Sequence, residues 1–197
     1  MSTRPALLVV DVQRDFCPGG ALAVKSGDEV IPGLNLVIEA FERRRLPIFF
    51  TRDWHPVDHL SFRGRGGIWP PHCVQGTLGA ELHPNLRIPA TATIISKGTS
   101  RDAEVYSGFQ GTDLEERLRG LGVDEIFLGG LATDYCVRES TLDALKAGFS
   151  VTVIEDCIRP VNAKPGDGDR ALADMRRAGA RSAKSSEVVK QLAGTRQ

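Results

Sequence analysis

A three-layer α/β/α sandwich on a mostly parallel, Rossmann-like sheet is the fold class this sequence predicts, and three observations predict it. Short apolar runs recur at residues 6–10, 46–51, 91–96, 126–128 and 149–154, as expected for strands buried on both faces. Stretches of helical periodicity fall between several of these runs. Their alternation argues for right-handed crossovers that cover both faces of one sheet. At 197 residues the chain is expected to form a single domain, 1–197, large enough to bury a full core.

Ala6-Leu-Leu-Val-Val10 is the first strand, and Asp11 ends it. The signal Pro18-Gly19-Gly20 makes residues 12–20 a loop. From 28 to 45, Val30, Ile31, Leu34, Val37, Ile38 and Phe41 trace one face of a helix. Arg43, Arg44 and Arg45 match the negative end of its dipole and are solvated there before they are a nucleic-acid patch. Residues 46–51 form the second strand, which runs into Arg52-Asp53-Trp54-His55. About 53–90 there is no long periodic helix, so this is an excursion from the domain and not a boundary; loops of that length are usually functional.

Residues 91–96 form the third strand, ending at Lys97, and 113–121 a short helix. Ile126, Phe127 and Leu128 run into Gly129-Gly130. A helix follows, with Val137, Thr141, Leu142 and Leu145 at helical spacing, Thr133 or Asp134 as its N-cap and Gly148 at its close. A strand at 149–154, a helix at 169–178, an edge strand at 180–183 and a helix at 186–192 complete the series.

Lys plus Arg and Asp plus Glu are both 25, so no global field steers the chain to nucleic acid or an anionic membrane. A small neutral ligand is the expectation. The run at 6–10 is too short for a signal-peptide core or a membrane span, which reads as cytoplasmic. Cys17, Cys73, Cys136 and Cys157 lie far apart with no C-x-x-C pair, so neither a disulfide framework nor a cysteine zinc site is suggested. Homo-oligomerisation is left open.

In open α/β sheets ligands bind beyond the carboxyl ends of the strands. Asp11, Asp53, Lys97 and Cys136 each fall at or just past the carboxyl end of a different strand, and so converge on one rim. Cys136 is expected in the first turn of its helix, where free N–H groups and the dipole favour a thiolate; otherwise it is a small buried hydrophobe. Asp11 can accept the thiol proton, and Lys97 can hold Asp11 ionised and favour the thiolate. Alternatively the two merely pair or cap helices.

His55, His59 and His72 crowd one window, leaving only His83 outside it. In an extended segment Asp53 and His55 project to the same side, and His72 can join them from the Trp69-Pro-Pro-His72 turn. Two imidazoles and a carboxylate suit zinc, ferrous iron or manganese, with positions left for water or substrate. His59 is a fourth ligand, orients a bound water, or simply sits in the loop.

Val9-Val-Asp11-Val-Gln-Arg-Asp-Phe16-Cys-Pro-Gly-Gly, Asp53-Trp-His55-Pro, Trp69-Pro-Pro-His72-Cys-Val, Lys97-Gly98 and Gly130-Leu-Ala-Thr-Asp-Tyr-Cys136-Val together resemble the nicotinamidase/pyrazinamidase branch of the isochorismatase-like cysteine hydrolases. They occur in the same order over nearly the whole chain. The resemblance implies an Asp11, Lys97, Cys136 triad that hydrolyses nicotinamide, and by extension pyrazinamide, to the acid and ammonia through a thioester. It implies a cis peptide at Leu131-Ala132 and an oxyanion hole from the N–H groups of Ala132 and Cys136. It places one divalent metal, zinc first and iron or manganese as alternatives, on Asp53, His55 and His72 to receive the pyridine nitrogen. Phe16 and Trp69 match positions that flank the ring, and Tyr106 a pocket wall.

The family's metal shell varies at His59 and Ser61, direct or through water, and Tyr135 bears on access to Cys136. Relatives acting on carbamoyl or ureido substrates generally lack the metal set, so Asp53, His55 and His72 argue against that alternative. The intact triad argues against a non-catalytic binding domain on the same scaffold.

Overall fold

The computed structural model describes residues 4–194. Six parallel strands form one sheet in the order β3-β2-β1-β4-β5-β6. They are β1 (Pro5–Val10), β2 (Ile48–Asp53), β3 (Thr93–Lys97), β4 (Glu125–Leu131), β5 (Ser150–Arg159) and β6 (Arg181–Ala183). The helices are α1 (Val30–Arg43), α2 (Leu114–Gly120), α3 (Arg138–Lys146), α4 (Asp167–Arg177) and α5 (Ser185–Gly194). Among the described residues no helix is long and apolar enough to cross a membrane.

The alternation within β1 explains the three layers. Leu7 and Val9 pack into one core with α1 and α5 through Leu34, Ile38, Phe41, Val188 and Leu192. Ala6, Leu8 and Val10 pack into the other with α2, α3 and α4 through Leu114, Leu118, Ala144 and Met175. A strand apolar on both sides is stable only when both sides are covered. Strand order reverses direction between β1 and β4, and the crevice outside their carboxyl ends is where such sheets bind ligands.

Several boundaries differ from those the sequence suggests. Helix α1 stops at Arg43, and Arg45 turns left-handed (φ 53°) so that Leu46 N–H reaches back to the Phe41 carbonyl at 3.0 Å; β2 therefore starts at Ile48, not 46. Arg44 is not a solvated dipole partner alone, since its guanidinium bonds the Leu192 carbonyl of α5. Strand β5 continues past 154 to Arg159, with a register shift opposite Leu128 and Gly130. The polar Asp156 inside it accepts the Ser185 N–H at 2.8 Å and hydroxyl at 2.6 Å, which ties the start of α5 to the strand.

The excursion between β2 and β3 has only short helical turns at Arg63–Arg65 and Leu78–Ala80. Backbone bonds pin it instead. His55 N–H donates to Cys73 O at 2.9 Å and Gln75 N–H to His55 O at 2.8 Å, a strand-like bridge that lays the segment ending in His72 beside the one carrying His55.

Candidate active site

Asp11 follows the last residue of β1, Asp53 and Lys97 close β2 and β3, and Cys136 lies just past β4. The parallel register puts Asp53 directly beside Lys97, and all four side chains are buried. Lys97 Nζ is 2.9 Å from Asp11 Oδ2, 2.5 Å from Asp53 Oδ1 and 3.5 Å from Cys136 Sγ. The ammonium thus lies among three partners and donates to two of them, Asp53 and Cys136.

Asp11 is held in a left-handed conformation (φ 49°), and Thr51 Oγ1 donates to its Oδ1 at 2.6 Å. Its Oδ2 is close to the ammonium but lacks a well-angled hydrogen bond. A buried lone pair therefore remains free to accept a proton. Burial pushes the Asp11 carboxyl above its ordinary value despite the pull of Lys97, with Asp53 adding to the rise. Asp53 goes the other way: burial opposes ionisation, but Lys97 and His55 outweigh it and hold the group well below the usual carboxylate range. Burial alone would lower Lys97, yet Asp11, Asp53 and Cys136 raise it well above its ordinary value, so the ammonium persists.

Two expectations about Cys136 need correction. It does not sit in the first turn of an ordinary helix but in a π-helical turn, Thr133–Val137, ahead of α3; such turns recur at functional sites. Nor does that setting give a resting thiolate. Burial pushes the thiol well above its ordinary value, Lys97 only partly opposes this, and the carboxylates of Asp11 and Asp53 raise it further. The group rests as a thiol beside a base. Neither Thr133 nor Asp134 caps the turn. Asp134 instead accepts the N–H groups of Val161 and Asn162 at 2.9 and 2.8 Å, fixing the loop after β5, and the Thr133 hydroxyl is buried without a partner. The Leu131-Ala132 peptide is cis. Gly130 packs so closely on β1 that a Cβ there would come within 2.0 Å of the Val10 carbonyl.

One donor atom each from Asp53, His55 and His72 lies within 4.8 Å of the others. His55 Nδ1–H donates to Gly98 O at 2.9 Å and His72 Nδ1–H to Pro70 O at 2.8 Å, because a carbonyl can only accept. Both tautomers are thereby set with Nε2 as the free lone pair, the arrangement that metal-binding histidines use. Burial lowers the pKa of His72, favouring the neutral ligand form. Asp11, Asp53 and Cys136 are equally closely spaced, but Lys97 already supplies a cation to all three. His59 differs from His55 and His72: its Nδ1 accepts from Ser61 Oγ at 2.7 Å and its Nε2–H donates to Ala103 O at 3.0 Å. Both ring nitrogens are engaged by protein, and the ring stacks on His55 at 4.2 Å.

Cys136, Asp53, His55 and His72 floor a pocket of about 510 Å³ counted to its mouth, walled by Phe16, Trp69, Tyr106, Tyr135 and Val161, and Lys97 and Asp11 lie behind that floor. Trp69 Nε1–H donates to Tyr106 Oη at 3.2 Å, and Tyr106 O–H to Glu104 at 2.6 Å. Tyr135 packs on both rings at 5.3 and 5.5 Å. Reasoning from sequence missed Thr51, Glu104 and Gln13. Thr51 had a signal, since it alternates with Asp53 on β2 and so shares its side. Gln13 and Glu104 had none.

The isochorismatase domain model matches residues 5–187. The chain is 41% identical over 196 residues to the nicotinamidase of Escherichia coli, covering 89% of this chain and 92% of that protein. The crystal structure of the pyrazinamidase of Pyrococcus horikoshii in complex with zinc is similar at TM-score 0.88 and 51% identity, over 92% of this chain and 99% of that one. The N-carbamoylsarcosine amidase of Thermoplasma acidophilum is similar at TM-score 0.78 and 32% identity, over 93% and 97%. With a family model spanning nearly its whole length and these relatives beside it, the chain belongs to the isochorismatase family.

Proposed function

We propose that the chain is one hydrolase domain, a cysteine amidohydrolase that converts nicotinamide, and pyrazinamide likewise, to the acid and ammonia. The observation that carries this reading is a single pocket whose floor joins a thiol to two imidazoles and a carboxylate, with an ammonium and a base directly behind the thiol. The nicotinamidase and pyrazinamidase relatives support the substrate class.

In the proposed reaction Asp11 Oδ2 takes the Cys136 proton as sulfur attacks the carboxamide carbon. A thiol with a raised pKa gives up its proton during attack and not before it, which suits a base whose own pKa is raised. Backbone N–H groups of Ala132 and Cys136 hold the developing oxyanion, a contribution typically worth about 100-fold or more in turnover. Asp11 passes the proton to the nitrogen, ammonia leaves, and a thioester remains on Cys136. Water gives its proton to Asp11 and attacks the thioester, releasing the acid and restoring the thiol. Lys97 keeps its charge throughout, holding Asp11 and the sulfur in register.

Asp53, His55 and His72 fit a divalent metal: hard and borderline donors, free Nε2 lone pairs, and Nδ1–H groups already anchored on the Gly98 and Pro70 carbonyls. We assign zinc first, in line with the Pyrococcus relative. Bound there, it supplies a Lewis acid for the pyridine nitrogen. Phe16 and Trp69 flank the ring, with Tyr106 as a wall; His59 acts by stacking on His55, and Ser61 by fixing His59. The reading carries with it a cytoplasmic enzyme working on a free small molecule, without nucleic-acid or membrane partners.

The test is ammonia release from nicotinamide before and after chelation. Release that depends on the metal supports the reading. Full activity after chelation would redirect it to a carbamoyl or ureido substrate, and no release from metal-replete protein would remove nicotinamide.

A further inference from the structure

Gln13 is fully buried, yet neither the proposed chemistry nor the pocket wall uses it. A buried carboxamide costs free energy unless its hydrogen bonds are made, and this one makes three. Its Oε1 accepts the Asp53 N–H at 2.7 Å, and its Nε2 donates to the Asp53 carbonyl at 2.8 Å and the Ala80 carbonyl at 2.8 Å. The partners fix which end is oxygen, since only Nε2 can serve two carbonyls.

The arrangement completes a ladder. On one side Asp53 pairs with Lys97 of β3. On the other, β1 supports β2 only as far as Val10 opposite Thr51, with Asp11 N–H reaching the Thr51 carbonyl at 3.2 Å. There the chain leaves the sheet through the left-handed Asp11. The next inward-facing backbone groups of β2 are the N–H and C=O of Asp53, and the planar amide of Gln13 meets both as a peptide of a longer β1 would.

We propose that Gln13 is the positioning residue of the metal site, a side-chain substitute for the missing strand that gives the rim residue Asp53 the rigidity of a mid-sheet one. The inference rests on the metal reading above. Asp53 bonds Lys97 through Oδ1 and leaves Oδ2 as a donor 3.6 Å from His55 Nε2, so backbone drift at this residue would move a metal ligand and the catalytic ammonium together. Sites of this kind need positions held within about 0.5 Å. The third bond, to Ala80, and the bridge from Gln13 to Leu82 lock the excursion to the same point. A glutamate could not replace it, for its second oxygen would face two carbonyls.

The test is zinc affinity of wild type and Gln13→Met by chelator competition, at a temperature well below the melting of each metal-free protein. The expected result is about tenfold or greater weakening with unchanged far-ultraviolet circular dichroism. A folded Gln13→Met with affinity within twofold of wild type overturns the proposal. Should that variant not fold, the comparison is read on Gln13→Glu, together with hydrogen exchange of the Asp53 amide in metal-free wild type. Exchange as slow as at mid-strand amides of β2 is expected, and exchange at loop rates overturns it. Wild type that binds no zinc would instead overturn the metal reading itself, a result distinct from either.

Discussion

His55 hands its Nδ1 proton to the carbonyl of Gly98 across 2.9 Å, so the residue next to Lys97 decides which nitrogen of His55 is left for a metal. Gly98 can do this because it lies at φ 61° with no side chain; a Cβ there would stand 2.5 Å from His55 Cε1 and 2.7 Å from Nδ1. Gly98→Ala is expected to push the imidazole aside and weaken zinc binding about tenfold or more. The measurement is metal content after dialysis at fixed free zinc. Stoichiometric retention at wild-type affinity would show that the ring does not need this anchor.

Removal of the nucleophile separates binding from chemistry. Cys136→Ala is expected to reduce nicotinamide turnover by about 10⁴-fold or more while calorimetric binding of nicotinamide persists, since the aromatic wall and metal donors remain. Turnover within tenfold of wild type would take the nucleophile role from Cys136.

The pH profile follows from opposed environments. Activity needs Asp11 as a carboxylate, and burial raises its pKa above 3.8. The acid limb of kcat/KM should therefore lie above the ordinary value of an aspartate. On the alkaline side Lys97 is raised well above 10.5, so no loss is expected through the usual lysine range from that group. For stability the signs differ. A raised Asp11 contributes fully below its unfolded value and loses that contribution as pH rises through its folded one. Asp53, lowered by Lys97 and His55 against the cost of burial, contributes above its unfolded value and loses that as pH falls. An acid limb at an ordinary carboxylate value would contradict Asp11 as the base.

Thiol chemistry offers a fourth check. Burial raises Cys17 to about 11 and Cys157 to about 12, and raises Cys73 as well. Cys136 is raised too, but it alone among the four lines the pocket and has a base beside it. A small neutral alkylating agent should label Cys136 first, with nicotinamide protecting it. Earlier labelling of another cysteine would contradict the assignment of the pocket thiol as the activated one.

The rim was legible because each of its residues lies at or just past the carboxyl end of a strand-like run, as Asp11 does after Val10 and Lys97 after Ser96. Local pattern reached that far. It did not reach β5 beyond Ile154, where Glu155 and Asp156 break the run and the stabilising partner, Ser185, lies 29 residues on. The thiol's protonation was misjudged because helix-terminus arguments count the local dipole, whereas burial and two carboxylates from other strands dominate. Gln13 was illegible for the same kind of reason, its partners being 40 and 67 residues away. The aromatic wall of Phe16, Trp69 and Tyr106 carried no chemical signature of its own, and without the family resemblance would have read as core.

Strands β1 and β4 are neighbours in the sheet but are separated along the chain by β2, β3 and the whole excursion. During synthesis the base, the ammonium and the metal donors all emerge before the sulfur that they serve. Until β4 zips in beside β1, Cys136 is a thiol without the base, the ammonium or the metal donors, and it cannot turn over an amide. Amide turnover therefore reports that the sheet has closed at β1 and β4.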